Sequence, residues 1–265
     1  MFEKPPTKEK IAPRRVEATK LTWAEMKEKI SRDKDEVIAI RKREVLDALD
    51  FDAIFLQIPI VTFSKVKRFK MIRGYVFEAL ANHEFNNEEE NGILGNFILR
   101  CLKNPKILGM QDLSFNNPDH LGVVVDIEKR IAYITGMYEV KLSDLGTRGR
   151  RQLTNFYKNL NLISSVMNEK LAELKEKYDL KFLPEGGVVL KSISEIEKFV
   201  VVPNPDTDSR KEKFDRKKKS LEERGWELKS SLFSITDIED VTLSLFAHYN
   251  RNSETIDKKR KSINQ

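Results

Sequence analysis

A single cysteine, Cys101, in 265 residues removes any intrachain disulfide and any cysteine-rich zinc site. Its surroundings, ILRCLKN, are apolar, which fits a buried inert thiol better than a nucleophile. The three histidines, His83, His120 and His248, form no HxH or HxxxH pair, so a histidine-based zinc site is not expected. There is no GxxxxGK[ST] and no GxGxxG, and with them goes the basis for a nucleotide cofactor. No apolar stretch approaches a bilayer span, and the first residues, MFEKPPTKEK, contain no apolar signal core. The expectation is a soluble, cytoplasmic chain without a membrane partner. No internal repeat is visible.

What the chain does have is charge. Asp, Glu, Lys and Arg make up 34% of it beside an apolar fraction of 40%, a balance that suits a globular body with a heavily ionised surface. The net charge is +6, and residues 250–265, with five Lys or Arg against two acids, supply half of it. The remaining body is only mildly basic, compatible with nucleic acid without demanding it. Residues 210–219, RKEKFDRKKK, hold seven cations against two acids; such a helix is usually a solvated face, though it can also track a phosphate backbone.

The pattern divides the chain into a disordered N-terminal segment (1–18), a helical extension (19–63), an α/β domain (64–249) and a basic disordered tail (250–265). Thr22 is expected to cap a first helix, and DEVIAIRKREVLDALDF reads as a second. AIFLQIPIV is a strand or a buried segment, with Pro59 weighing against a central strand. In residues 64–83, Val66, Phe69, Ile72, Val76 and Leu80 recur at spacings of three and four, predicting an amphipathic helix. ILGNFILRCLKN is expected to be helical and KILGMQDLSF a strand, and a long helix is expected over 147–178, ended by PEGG. KFVVVP reads as a strand, residues 209–225 as a charged helix closed by Gly225, and WELKSSLF as a further strand. Together these predict an α/β class, a mixed sheet flanked by helices.

The strongest local signal is NPDHLGVVVDIEKRIAYITGMYEVKLS, residues 117–143: two runs rich in Val, Ile and Tyr around DIEKR, a hairpin pattern. Glu139 and Lys141 share one strand face, with Val140 on the other. A turn centred on Lys129 sets facing residues to sum to 258, which puts Asp119 opposite Glu139. A slip of one residue would undo this. Two close carboxylates repel and raise one pKa, whereas a hard cation such as Mg²⁺, with Mn²⁺ as a substitute, removes the repulsion. The Val140 carbonyl offers another oxygen, and Lys141 is suited to orient water or to offset charge on a phosphorane. Taken singly, each residue has an ordinary structural explanation: an exposed ion pair for Glu139 and Lys141, a turn residue for Asp119. Asp126 and Glu128, in the turn, are expected to be solvated, and His120 to point away from Asp119 in a structural role.

Pro118-Asp119, a hydrophobic strand, a turn, a second hydrophobic strand and Glu139-Val140-Lys141 resemble the PD-(D/E)xK nuclease superfamily. The resemblance covers residues 66–235 and implies a restriction-endonuclease-like core in which Asp119 and Glu139 bind Mg²⁺ and Lys141 assists hydrolysis. Glu78 in RGYVFEALA, on the preceding helix, resembles the upstream acid that completes the metal site in the branch typified by the nuclease domain of bacterial recombination helicases and related exonucleases. Gln152 resembles the glutamine of that branch, although its companion four residues later is Phe156 and the tyrosine, Tyr157, comes one later. Arg148, Arg150 and Arg151 crowd the same helix start and suit a phosphate backbone. The reading this supports is a Mg²⁺-dependent deoxyribonuclease, with RNA and homodimerisation left open. Its rivals are a catalytically inactive nuclease-fold module that binds nucleic acid or a protein partner, and an unrelated helical interaction protein.

Overall fold

The computed structural model describes residues 22–51, 54, 65–86, 97–103, 119–126, 128–142, 165, 168–169, 185–190 and 196–263. Two capped helices come first. Helix α1 (Trp23–Ile30) opens with a reciprocal capping box, Thr22 accepting from the Glu25 N–H and Glu25 accepting from the Thr22 N–H. Helix α2 (Glu36–Asp47) is capped by the Asp35 carboxylate. Helix α3 (Lys65–Asn86) carries the expected apolar face, with Ile72, Val76 and Leu80 all buried.

Among the described residues six strands follow α3: β1 (Phe97–Lys103), β2 (His120–Asp126), β3 (Ile131–Val140), β4 (Val188–Leu190), β5 (Glu197–Asn204) and β6 (Glu227–Ser234). They form one mixed sheet in the order β1-β2-β3-β5-β6; β1, β2 and β3 pair antiparallel, whereas β5 is parallel to β3 and β6 to β5. Short β4 pairs parallel with β3 at Ala132–Ile134, so it and β5 share one edge of β3 end to end. Helix α4 (Asp208–Glu222) makes the crossover between parallel β5 and β6 that such a pair requires. Helix α5 (Ile235–Ile263) leaves β6 directly. The architecture is α/β, with a mixed sheet flanked by helices.

One buried cluster joins the N-terminal helices to the sheet. Met26 and Ile30 of α1, Val45 and Leu46 of α2, Ile72, Val76, Phe77 and Leu80 of α3, and Ile238, Val241 and Leu245 of α5 pack with Val140, Val201 and Phe233 of the strands. Helices α1 and α2 therefore supply part of the helical layer covering the sheet. Lys42 reinforces it: its buried ammonium reaches Asp33 (3.0 Å) and Asp237 (3.4 Å), tying α2 to the first turn of α5.

Several expectations need correction. ILGNFILRCLKN is not helical over its described part; Phe97–Lys103 is a strand paired along its whole length with β2, from Phe97↔Asp126 to Lys103↔His120. A short apolar run has no decisive period of its own, and the exposed edge of β2 offers it a full hydrogen-bond partner. The tail expected to be disordered over 250–265 is helical to Ile263. No Gly or Pro interrupts residues 235–263, Glu254→Lys258 and Asp257→Lys261 stand at helix-favouring spacing, and the terminal cations suit the negative end of the helix. Asp126 is buried, at 3% exposure, where it accepts the Lys129 N–H at 3.0 Å and closes the turn, while Glu128 is exposed as expected. Gly186 and Gly187 of PEGG dock against that turn: Gly186 N–H donates to the Arg130 carbonyl, and a Cβ on Gly186 would lie 2.2 Å from it. Gly187 has φ +93°, open to glycine without strain. KILGMQDLSF and nearly all of the expected helix over 147–178 lie outside the described residues.

Candidate active site

The hairpin forms as expected, but its turn centres between Glu128 and Lys129 and not on Lys129, so the expected register does not begin at the turn. Between the turn and Val123 the facing residues sum to 257, as in Asp126↔Ile131 and Val123↔Ile134; beyond it they sum to 258, as in Gly122↔Gly136 and His120↔Tyr138. Thr135 is the extra residue, a bulge in β3. Burial along β3 records the same change of phase: Ala132 and Ile134 are buried before the bulge, Met137 and Glu139 after it. Without this insertion Asp119 would face Tyr138, and Glu139 would point through the other side of the sheet. With it, Asp119 continues the 258 register and meets Glu139.

Tyr138 and Val140 pack on the helical layer, so Glu139 between them points to the opposite face, together with Lys141. The Lys141 ammonium forms an ion pair with the Glu139 Oε1 and lies 3.8 Å from the Asp119 Oδ2. That Oδ2 accepts the Val140 N–H at 2.7 Å. On the far side, the Lys141 N–H donates to the Val201 carbonyl of β5 at 2.9 Å, anchoring the strand end centrally in the sheet.

The main chain adds an oxygen. N–H and C=O of one strand residue point the same way, so the Val140 carbonyl faces the Asp119 side along with its N–H. The antiparallel ladder stops at His120↔Tyr138, and the residue two before His120 is Pro118, which has no N–H with which to continue it.

Burial dominates the electrostatics. Glu139 is 2% exposed, and its carboxyl is pushed up to about 8 by that burial and by the neighbouring Asp119 charge, with Lys141 pulling only partly the other way. Its Oε2 has no hydrogen-bond partner among the described residues. Burial pulls the Lys141 ammonium down, but the charges of Asp119, Glu139 and Glu78 together lift it above its usual value. Glu78 thus acts on the same locus: it is half-buried on α3, close enough for its charge to be felt by Lys141. The residue that the sequence did not single out is Tyr75, one turn before Glu78. Burial raises its phenol, and the charges of Glu78 and Asp119 add to the rise, so it lies within their electrostatic reach.

His120 is buried opposite Tyr138, in the structural position expected of it. Gln152, Arg148, Arg150, Arg151 and Tyr157 lie outside the described residues. Among the described residues no group of three or more His, Cys, Asp or Glu side chains is placed to hold a metal ion. The two carboxylates, the unsatisfied Glu139 Oε2 and the Val140 carbonyl are nevertheless an all-oxygen set of the kind Mg²⁺ takes with one or two carboxylates plus water and phosphate. The residues present fit a hard cation.

Scored against family models, curated proteins and solved structures, the chain matches none. No helix among the described residues is long and apolar enough to cross a membrane.

Proposed function

We propose that this chain is a metal-dependent nuclease of restriction-endonuclease-like type that hydrolyses DNA phosphodiester bonds with Mg²⁺, Mn²⁺ serving as a substitute. The observation that carries the reading is the convergence of Asp119, Glu139 and Lys141 at the end of β3 within the sheet, where burial and the Asp119 charge raise the Glu139 carboxyl to about 8. Asp119, Glu139 and the Val140 carbonyl would hold the ion, with Glu78 as the additional acid. Bound there, a divalent cation supplies charge to the phosphate and makes its water more acidic.

The chain's own groups do the rest. Lys141, kept cationic by its acidic neighbours, donates to the attacking water or to the phosphate oxygens as negative charge grows there. Asp119 is held in place by the Val140 N–H, which spends no substrate energy on orienting it. Tyr75 keeps its phenolic proton and presents a neutral donor within electrostatic reach of the acids.

A second reading has one observation of its own. The Lys141 ammonium already sits against Glu139 and close to Asp119, as it would in a nuclease-fold module without catalysis that binds nucleic acid or a partner protein. Circular and linear DNA incubated with Mg²⁺, and in parallel with chelator, separate the two. Mg²⁺-dependent cleavage that disappears in Glu139→Ala supports the enzyme; DNA binding with no cleavage supports the alternative, and cleavage that survives that change overturns the assignment of this site.

A further inference from the structure

Helix α4 has an asymmetry that its composition conceals. Arg210, Phe214, Lys217, Ser220 and Leu221 are its least exposed positions and mark the side turned to the protein, with Ser220 at one margin of it. At 3.6 residues per turn, the two flanks of that side differ in kind. One carries Asp208, Lys211, Asp215, Lys218 and Glu222, where Lys211 pairs with Asp208 (3.4 Å) and Lys218 with Glu222 (3.9 Å). The other carries Ser209, Lys213, Arg216 and Ser220, at spacings of four, three and four, with no acid among them. Lys213 and Arg216 are exposed, and among the described residues neither forms an ion pair; Arg216 donates only its Nε–H, to the Glu212 carbonyl at 3.3 Å.

Exposed Glu212 borders this flank, three residues after Ser209 and four before Arg216, whereas the acids that form ion pairs with Lys211 and Lys218, Asp208 and Glu222, lie on the other. Beside Glu212, α4 thus presents two exposed cations that form no ion pair among the described residues, set between two serines. The row runs about 16 Å, the axial reach of roughly four phosphates of one strand. Its Ser209 end begins five residues after Asn204, the last residue of β5, and β5 accepts the Lys141 N–H through Val201. The row therefore starts at the end of the sheet that bears the candidate site.

We propose that the Ser209–Lys213–Arg216–Ser220 flank of α4 is a binding rail for the sugar–phosphate backbone of a nucleic acid leaving the site. This rests on the reading of the site as one that takes DNA. Arg216 supplies bidentate phosphate contact, Lys213 a point charge, and the serines neutral donors.

The test compares two double substitutions that change net charge equally, Lys213→Gln/Arg216→Gln on the rail and Lys211→Gln/Lys218→Gln on the paired flank. Binding of a fluorescent duplex and of a single strand is measured by anisotropy with chelator present, over a range of salt. The first pair is expected to weaken binding about tenfold and to lower the salt slope by roughly two, and the second by less than about twofold. Equal losses from both pairs, or no DNA binding by the unaltered chain, overturn the rail. Mg²⁺-dependent cleavage is assayed separately on the same proteins. Cleavage lost with Glu139→Ala but flanks that behave alike refute the rail alone, whereas unequal flanks in a protein that never cleaves refute the nuclease alone.

Discussion

Glu84 and Glu139 are buried to nearly the same depth, at 4% and 2% exposure, and their surroundings have opposite effects. Glu84, near the end of α3, receives the Ser231 hydroxyl at 2.7 Å on one oxygen and the Leu232 N–H at 3.0 Å on the other. It fastens a helix to the edge strand β6, and the donors offset the cost of removing the carboxylate from water. Glu139 has the Lys141 ammonium on one oxygen, no hydrogen-bond partner among the described residues on the other, and Asp119 beside it. Burial depth alone does not separate a structural acid from a chemical one. The partners do: complete hydrogen bonding stabilises the fold, whereas the carboxyl left with an unsatisfied oxygen is the one the proposed function assigns to a cation.

The largest expected difference is in activity. Glu139→Ala should lower Mg²⁺-dependent DNA cleavage by at least about 100-fold, as removal of a group that organises transition-state charge does. Glu84→Ala should leave cleavage per folded molecule nearly unchanged; a comparable activity loss in both would abolish the distinction. Stability should reverse the order. Glu84→Ala leaves the Ser231 hydroxyl and Leu232 N–H buried without an acceptor and should cost about 3 kcal/mol, seen as a melting point roughly 6–12 °C lower. Glu139→Gln, which removes the repulsion with Asp119, should melt no lower than the parent at pH 8.

The pH dependence follows from the same carboxyl. Unfolded, it loses its proton near 4.5; folded, it keeps the proton to about 8, so unfolding in that interval releases a proton. Stability from this group is fully present below 4.5 and is lost as pH rises through 8, so melting temperature should fall across that range, and Glu139→Gln should flatten the fall. Mg²⁺ should oppose it: at a hundredfold excess over its dissociation constant, about 2.7 kcal/mol of stabilisation is expected at pH 8, absent in Glu139→Gln. The smallest change is Ser231→Ala, which removes one donor from Glu84 and should cost about 1 kcal/mol, read from denaturant midpoints.

Much of the framework was legible because local signals agreed. Val, Ile and Tyr around DIEKR make β2 and β3, KFVVVP and WELKSSLF make β5 and β6, and Thr22 caps α1 where its position before the apolar period says it should. Where local signal was weak, a distant partner decided. Phe97–Lys103 became a strand because β2 was there to pair with it, and the α5 extension needed only the absence of a breaker. Tyr75 was missed because nothing local marks an aromatic residue on an apolar helix as lying within electrostatic reach of acids; its exposure to the Asp119 charge is a property of α3 on the sheet.

The amino-acid order by itself determined that Asp119, Glu139 and Lys141 would stand at the open end of a hairpin, since strand propensity and turn residues are properties of neighbours. Whether they would meet was decided by the tertiary structure. The turn sets a register of 257, in which the two acids lie on opposite faces, and the Thr135 bulge shifts it to 258. Side-chain direction alternates with each residue, so one extra residue in one strand moves everything beyond it to the other face, and only packing against both faces selects where that residue is inserted.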